Sequence, residues 1–178
     1  MLWLRQFRRW VVRWLIKRGI LRRRLKIYFA ASIRGGREDR EWYGQLIAYL
    51  KVRADVLSEH IGLDLPESGE AGLSDEQIYW RDVRWIEEAD VLIGEVTTPS
   101  HGVGYEVLYA EMLRLPRILL FRNSHNRRPS AMLARSPIVR YGPLDGAVSR
   151  ADTALALREA EAILLRFLRA EFGSFPLR

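Results

Sequence analysis

The stretch Asp90-Val-Leu-Ile-Gly-Glu-Val-Thr-Thr-Pro-Ser-His-Gly-Val-Gly-Tyr-Glu106 decides the fold. An apolar run after Asp90 predicts a buried strand, a loop through Thr97 follows it, and helical periodicity resumes at Glu106. In an open parallel α/β sheet such a loop lies at the carboxyl ends of the strands, where ligands bind. The stretch therefore predicts a ligand site. Glycines that only turn the chain, and a glutamate that only favours a helix dipole, would produce the same pattern.

On both sides of this stretch, short apolar runs alternate with segments of helical periodicity. The other predicted strands are 26–32, 54–58, 117–121 and 137–141. The predicted helices are 38–51, a helix that opens at the capping box Ser74-Asp-Glu-Gln77 and runs to about Ala89, 106–115, 130–134 and 151–170. This alternation predicts an α/β fold, a Rossmann-like (flavodoxin-like) three-layer sandwich with a five-stranded parallel sheet covered on both faces.

Length and composition suit one domain with a proper core. The chain has 178 residues, of which 48% are apolar. It contains no cysteine, and its three histidines lack the spacing of metal ligands, so we expect neither a metal nor a cofactor. We expect a basic amphipathic N-terminal helix over residues 1–25 and a catalytic domain over residues 26–172.

The net charge of +7 lies in one segment of the chain. Residues 1–26 contain ten of the 29 bases and no acid, so the remaining residues carry 19 bases against 22 acids, a net charge of −3. A domain that binds long nucleic acid would carry its positive charge on the body of the fold. We therefore do not expect a nucleic-acid partner.

The basic segment is predicted to form an amphipathic helix. At 100° per residue, one face collects Trp3, Leu4, Phe7, Trp10, Val11 and Trp14, and the opposite face is rich in arginine. Because arginines interrupt every apolar run, the pattern indicates neither a membrane-spanning helix nor the apolar region of a secretory signal. Three interpretations stay open: contact with an anionic membrane surface, packing of the tryptophan face on the body or on a second subunit, and mitochondrial targeting. We expect a cytoplasmic protein, peripheral at a membrane under the first interpretation.

A second loop, after the first predicted strand, resembles a phosphate cradle. Gly35 and Gly36 would let backbone N–H groups approach an anion, and Ser32, Arg34 and Arg37 add a hydroxyl group and two cations. The Gly-Gly pair matches neither the Walker loop nor the full dinucleotide fingerprint. An ordinary turn with solvated arginines is the alternative.

Three segments together resemble one family. They are Tyr28-Phe-Ala-Ala-Ser-Ile-Arg-Gly-Gly-Arg-Glu-Asp-Arg40, the helix with Asp82 that ends in Glu88-Ala-Asp-Val91, and Glu95-Val-Thr-Thr-Pro-Ser-His-Gly-Val-Gly-Tyr-Glu106. They are similar to the 2′-deoxynucleoside 5′-phosphate N-hydrolases of the nucleoside 2-deoxyribosyltransferase superfamily. The resemblance covers about residues 26–141 and leaves the basic segment outside.

The resemblance implies hydrolysis of the N-glycosidic bond of a 2′-deoxynucleoside 5′-monophosphate. It makes Glu106 the nucleophile that attacks C1′ and forms a covalent ester, Asp82 the second catalytic carboxyl group, and Tyr28 a tyrosine that holds Glu106 and the sugar. The implied substrate-binding residues are Ser32, Ile33, Arg34, Gly36, Ser100, Gly102, Ser130 and Met132. Ser130 would come from the neighbouring subunit of a homodimer. Spacing alone would leave Asp82 as one more exposed helical charge.

Several alternatives stay open at this point. An acceptor base could replace water, which would make the enzyme a deoxyribosyltransferase, and a ribonucleotide could be the substrate. A different functional class is also open: a noncatalytic nucleotide-binding module that docks on a membrane. Ala31 stands where the hydrolases have glycine beside the nucleobase, so the preferred base is open too. His101 stands where leucine is common, and we expect it to face solvent.

Overall fold

The computed structural model describes residues 2–33, 39–63, 72–122, 128–141 and 150–173. Its five strands are β1 (Leu25–Ala30), β2 (Ala54–Val56), β3 (Val91–Glu95), β4 (Arg117–Arg122) and β5 (Ile138–Tyr141). Its longer helices are α1 (Leu2–Lys17), α2 (Arg40–Lys51), α3 (Asp75–Glu88), α4 (His101–Met112) and α5 (Arg150–Phe172). Two short 3₁₀ helices, Glu59–Gly62 and Ala131–Leu133, complete the described elements.

All neighbouring strands pair in parallel, in the order β2-β1-β3-β4-β5. This confirms the predicted five-stranded α/β sandwich. Strands buried on both faces explain the near-continuous apolar runs in the sequence, since each face of the sheet packs against helices. Alternate residues of β1 show this directly. Ile27 and Phe29 belong to the core on one face, whereas Tyr28 and Ala30 belong to the core on the other.

Local signals set several element boundaries. The predicted capping box is confirmed: the Ser74 hydroxyl accepts from the Gln77 N–H at 3.2 Å, and the Gln77 side chain accepts from the Ser74 N–H at 2.8 Å. The strand predicted to reach Ser58 ends at Val56. Ser58 binds the neighbouring strand through its side chain instead, because its hydroxyl donates to the Phe29 carbonyl at 2.7 Å and accepts from the Phe29 N–H at 2.8 Å.

The start predicted for α4 was wrong by five residues. The helix begins at His101, so Glu106 lies in its second turn and not at its start. Ser100 caps the helix by accepting from the Val103 N–H at 3.4 Å. Two glycines inside the first turn favoured a loop in the sequence analysis, since each costs about 1 kcal/mol in a helix, but the cap and the burial of Val103 and Val107 offset that cost.

The α1 helix lies outside the layers described above and leads into the start of β1. Its Ile16 is buried in the core that also contains Phe172 of α5. None of the helices that the structure describes combines the length and the apolar character needed to cross a membrane.

Candidate active site

The strand order reverses between β1 and β3, which makes this the topological switch point of the sheet. Ligands bind at such points because the loops that follow the two strands diverge to opposite faces and leave a crevice. Ser32 follows β1 here, and Ser100 follows β3. The α4 helix starts at the same edge and carries Glu106.

Tyr28 and Glu106, 78 residues apart in the chain, form a hydrogen bond at this point. The Tyr28 hydroxyl donates to Glu106 Oε1 at 2.8 Å. Tyr28 is only 1% exposed, and burial raises its pKa well above the ordinary value, with the negative charges of Glu106 and Asp82 acting in the same direction. Tyr28 therefore stays a neutral donor. The structure brings together the three residues expected to carry catalysis.

Asp82 is held by the residue beside it. Arg81 donates to Asp82 Oδ1 from Nε at 2.9 Å and from Nη2 at 2.8 Å, and both side chains are mostly buried. Arg81 also lies 3.4 Å from Nε2 of His60 and stacks over the ring of Trp85 at 4.6 Å. These contacts fix the direction of the Asp82 carboxyl group.

Sequence reasoning did not assign a role to Arg81, His60 or Trp85. An arginine beside an aspartate on a helix usually lies in solvent, so the pair carries no signal by itself. His60 is one of three histidines that lack the spacing of metal ligands, so it carries no signal either. Only the packing of the 3₁₀ helix Glu59–Gly62 near α3 connects the three side chains.

The residues expected to bind phosphate have different surroundings. Ser32 is 1% exposed, and its hydroxyl has no hydrogen-bond partner within the described ranges of the chain. Ile33 is half-buried, whereas Arg34 and Gly36 lie outside the described residues. Ser100 caps α4, and Gly102 is exposed in its first turn. An unpaired buried hydroxyl is costly unless a ligand completes it, so Ser32 suits an oxygen-rich ligand.

Ser130 and Met132 lie on the outside of the chain. Met132 is 89% exposed, and Ser130, also exposed, caps the 3₁₀ helix Ala131–Leu133 by accepting from the Met132 N–H at 3.3 Å. Each side chain is therefore open to a neighbouring molecule. His101 is exposed, as expected.

A further carboxyl group, that of Glu95, is buried on the face of the sheet opposite Tyr28. Its carboxyl group accepts from the hydroxyl and the N–H of Thr97 and, at 3.1 Å, from the hydroxyl of Tyr141. Burial raises the pKa of Glu95 to about 7, the charge of Asp39 adds to the rise, and the donors from Thr97 oppose it. Asp39 in turn pairs with Arg122. The only sequence signal was a charged residue that closes a fully apolar strand.

Glu95 predicts a pH-dependent stability. The folded protein keeps the Glu95 proton between the ordinary pKa of 4.5 and about 7, where the unfolded chain has lost it, so the free energy of unfolding falls as the pH rises through this window. The fall from this group is about 3 kcal/mol. Glu95→Gln removes it, so urea unfolding at pH 5 and pH 8 should differ less in the variant than in the parent. Equal differences in the two proteins would contradict the assignment.

Comparison with known proteins assigns the chain to a family. Residues 27–130 match the family model described as nucleoside 2-deoxyribosyltransferase. The match covers more than half of the chain and includes Tyr28, Asp82, Glu106 and Ser130. The chain belongs to the nucleoside 2-deoxyribosyltransferase family. The α1 helix lies outside the matched range.

Individual proteins resemble the chain over 60–67% of its length. A protein of Syntrophotalea carbinolica, provisionally named 2′-deoxynucleoside 5′-phosphate N-hydrolase 1, is 42% identical over 125 residues, 67% of this chain and 87% of that protein. The 5-hydroxymethyl-dUMP N-hydrolase of Tetraodon nigroviridis is 46% identical over 61% of this chain and 78% of its own length. The mouse (Mus musculus) protein of the same name is 44% identical over 60% and 63%.

A solved structure agrees with the family fold. A conserved protein of Enterococcus faecalis V583 superimposes with a TM-score of 0.50 at 15% identity, over 78% of this chain and 99% of that protein. At this identity the likeness concerns the fold alone.

Proposed function

We propose that this protein hydrolyses the N-glycosidic bond of 2′-deoxynucleoside 5′-monophosphates, releasing the free base and 2-deoxyribose 5-phosphate. The chain is an enzyme that acts on N-glycosyl bonds, as its relatives named N-hydrolases are. The observation that carries the proposal is the hydrogen bond between the buried Tyr28 and Glu106 at the switch point of the sheet.

Glu106 is the nucleophile of the proposed mechanism. One carboxylate oxygen attacks C1′ while the C1′–N bond breaks. The electron pair of the C1′–N bond stays with the departing base, which also receives a proton. A carboxylate suits this step because the transition state carries oxocarbenium-like positive charge. Water then attacks C1′ of the glutamyl ester, its proton passes to the group that protonated the departing base, and the C1′–O bond to Glu106 breaks, which restores the carboxylate. Two displacements retain the configuration at C1′.

Asp82 and Tyr28 support the two displacements. Asp82, held in direction by Arg81, delivers the proton to the departing base or orients that base. Tyr28 donates to Oε1 of Glu106 and so restricts the rotation of the nucleophile. Tyr28 reaches Glu106 from β1, and Asp82 lies on α3, so neither residue belongs to the helix that carries the nucleophile.

The 5′-phosphate positions the sugar. Ser32 and Ser100, together with Ile33 and Gly102, form the phosphate subsite in this proposal, next to the first N–H groups of α4. Arg34 and Gly36, which lie outside the described residues, are assigned to the subsite by the resemblance alone. The Ser32 hydroxyl, which has no hydrogen-bond partner among the residues that the structure describes, supports this subsite. Phosphate binding contributes energy that orients C1′ over Glu106, so a nucleoside without the phosphate loses turnover as well as affinity.

A homodimer completes the proposed site. Tyr105, Leu108 and Met112 are each more than half exposed along one side of α4, and the segment with Ser130 packs against the same helix. Exposed apolar side chains in a contiguous set are typical of an interface. Ser130 and Met132 of one protomer then reach the substrate bound by the other.

The experiment that tests the proposed function is a panel of nucleotides. Deoxynucleoside and ribonucleoside monophosphates, and the matching nucleosides without phosphate, are incubated with the protein, and the released base is measured by chromatography. A second free base is added in parallel, because a new nucleotide would indicate transfer in place of hydrolysis. Failure to release base from any member of the panel by a folded protein would overturn the proposal.

Tyr28→Phe is expected to lower kcat about 10- to 100-fold, because a hydrogen bond to a charged group contributes about 1.5–3 kcal/mol. Tyr109→Phe is the matched control, since Tyr109 lies on α4 one turn after Glu106 but its hydroxyl donates to Glu87, at 2.6 Å. Steady-state kinetics with the best substrate of the panel measure both variants. Equal kcat values for the two would remove Tyr28 from the mechanism.

A further inference from the structure

The α1 helix binds the body through its polar face. The guanidinium group of Arg9 donates to the carbonyls of Ile86 at 3.0 Å, Glu87 at 2.6 Å and Ala89 at 2.7 Å. These carbonyls close the carboxyl end of α3, where helix carbonyls lack partners and the dipole favours a cation. Arg9 thus caps the carboxyl end of α3 and holds α1 against it.

Further polar contacts of α1 hold the same orientation. They are Arg5 with the Glu87 carboxylate, Gln6 with the Met112 carbonyl at 2.8 Å, Arg13 with Glu171 at 3.0 Å and Lys17 with the Ala170 carbonyl at 2.9 Å. Ile16, buried on the same side, adds an apolar contact. The helix is therefore fixed on the body with its arginine face inward.

The tryptophan face of α1 consequently points away from the protein. The exposed fractions are 65% for Trp3, 55% for Phe7 and 56% for Trp10, and Leu4 and Trp14 are exposed beside them. The rings form one row, with centroids 6.4 Å apart for Trp3 and Phe7 and 6.1 Å for Phe7 and Trp10. A surface helix ordinarily turns its apolar face to the core, so this reversed arrangement marks an interaction surface. The packing of this face on the body, one of the sequence-based interpretations, is not what the structure has.

The cations around the exposed row select its partner. Arg8 is exposed on α1, Arg18 and Arg22 are exposed just after its end, and the guanidinium of Arg18 lies over the Trp14 ring at 5.8 Å. Tryptophan and arginine side by side suit the headgroup region of a bilayer, where the ring enters the interface and the cation meets anionic lipid. A symmetric contact between two copies of this face would bring identical cations together, which disfavours it.

The position of α1 determines which side of the protein the exposed tryptophan face is on. Its contacts on α3 and α4 precede the starts of β3 and β4, and the helix itself leads into β1. It lies at the amino ends of the strands, whereas Ser32 and Ser100 follow the carboxyl ends. We propose that the row of Trp3, Phe7 and Trp10 docks the protein on an anionic membrane surface, with α1 parallel to the bilayer and the candidate active site facing water.

Vesicle flotation of the full chain tests this. The parent protein is expected to float with vesicles of phosphatidylcholine and phosphatidylserine, and the triple variant Trp3→Ala, Phe7→Ala, Trp10→Ala should float about tenfold less. Trp80→Ala is the matched control, because Trp80 is 53% exposed but lies in the amino-terminal half of α3, away from α1. Thermal melting checks that the triple variant is folded, which its exposed positions favour. Deleting α1 is a poorer test, since it would remove Ile16 from the core.

Charge is tested separately. Arg8→Glu combined with Arg22→Glu should reduce flotation with the anionic vesicles, and vesicles of phosphatidylcholine alone should bind the parent protein much less. Equal flotation of the parent and the triple variant would overturn the proposal. So would a change from a larger to a smaller species for the triple variant in size-exclusion chromatography without any effect of vesicles, because that result would assign the row to a second copy of the chain.

Discussion

Glu106→Gln is expected to lower kcat by about 10⁴-fold or more, because the amide cannot form the ester with C1′ and supplies no negative charge to the oxocarbenium-like transition state. The substitution keeps the size of the side chain and an acceptor for the Tyr28 hydroxyl. Substrate affinity, measured by titration calorimetry, should therefore change only a few-fold. Glu111→Gln is the control on the same helix, since Glu111 pairs with Arg117 and Arg135 and not with Tyr28.

A second measurement tests the covalent step. Protein quenched in acid during turnover should gain the mass of one deoxyribosyl phosphate group, that is, of 2-deoxyribose 5-phosphate less water, and Glu106→Gln should not. A variant that keeps more than a tenth of the parent kcat would contradict the assigned nucleophile. A parent enzyme that never carries the added mass, even with slow substrates, would favour direct attack by water.

Asp82→Asn is expected to lower kcat by about 10²- to 10³-fold, which is within the usual contribution of a positioned acid or base. The loss should be larger for bases that leave poorly, because these depend most on a proton delivered to the departing nitrogen. Kinetics with a series of nucleotides whose bases differ in leaving ability measure this. A uniform loss across the series would assign Asp82 to orientation alone.

Asp75→Asn, in the first turn of the same helix, is the matched control for Asp82→Asn. It removes a carboxylate that favours the positive end of the helix dipole, so it should cost at most about 1 kcal/mol in stability and leave kcat unchanged. Equal kcat values for Asp75→Asn and Asp82→Asn would show that Asp82 has no special role.

Much of the fold was predictable because it depends on local signals. Buried parallel strands leave apolar runs, and the capping box at Ser74 and Gln77 marks a helix start within four residues. The boundary with the largest error, the start of α4, failed because Gly102 and Gly104 have a low helix propensity that the tertiary structure overrides. The candidate residues Tyr28, Asp82 and Glu106 came from resemblance, since the spacing of one tyrosine and two carboxylates carries no geometry.

The sequence by itself determined the order of strands and helices along the chain, the position of the central loop and the amphipathic character of the first helix. Only the tertiary structure decided which face of that helix points outward. Periodicity separates tryptophan from arginine but cannot show that Arg9 meets the carboxyl end of α3, about 80 residues later. The same holds for Tyr28 with Glu106 and for the raised pKa of Glu95, because burial and long-range contacts exist only when distant segments pack together.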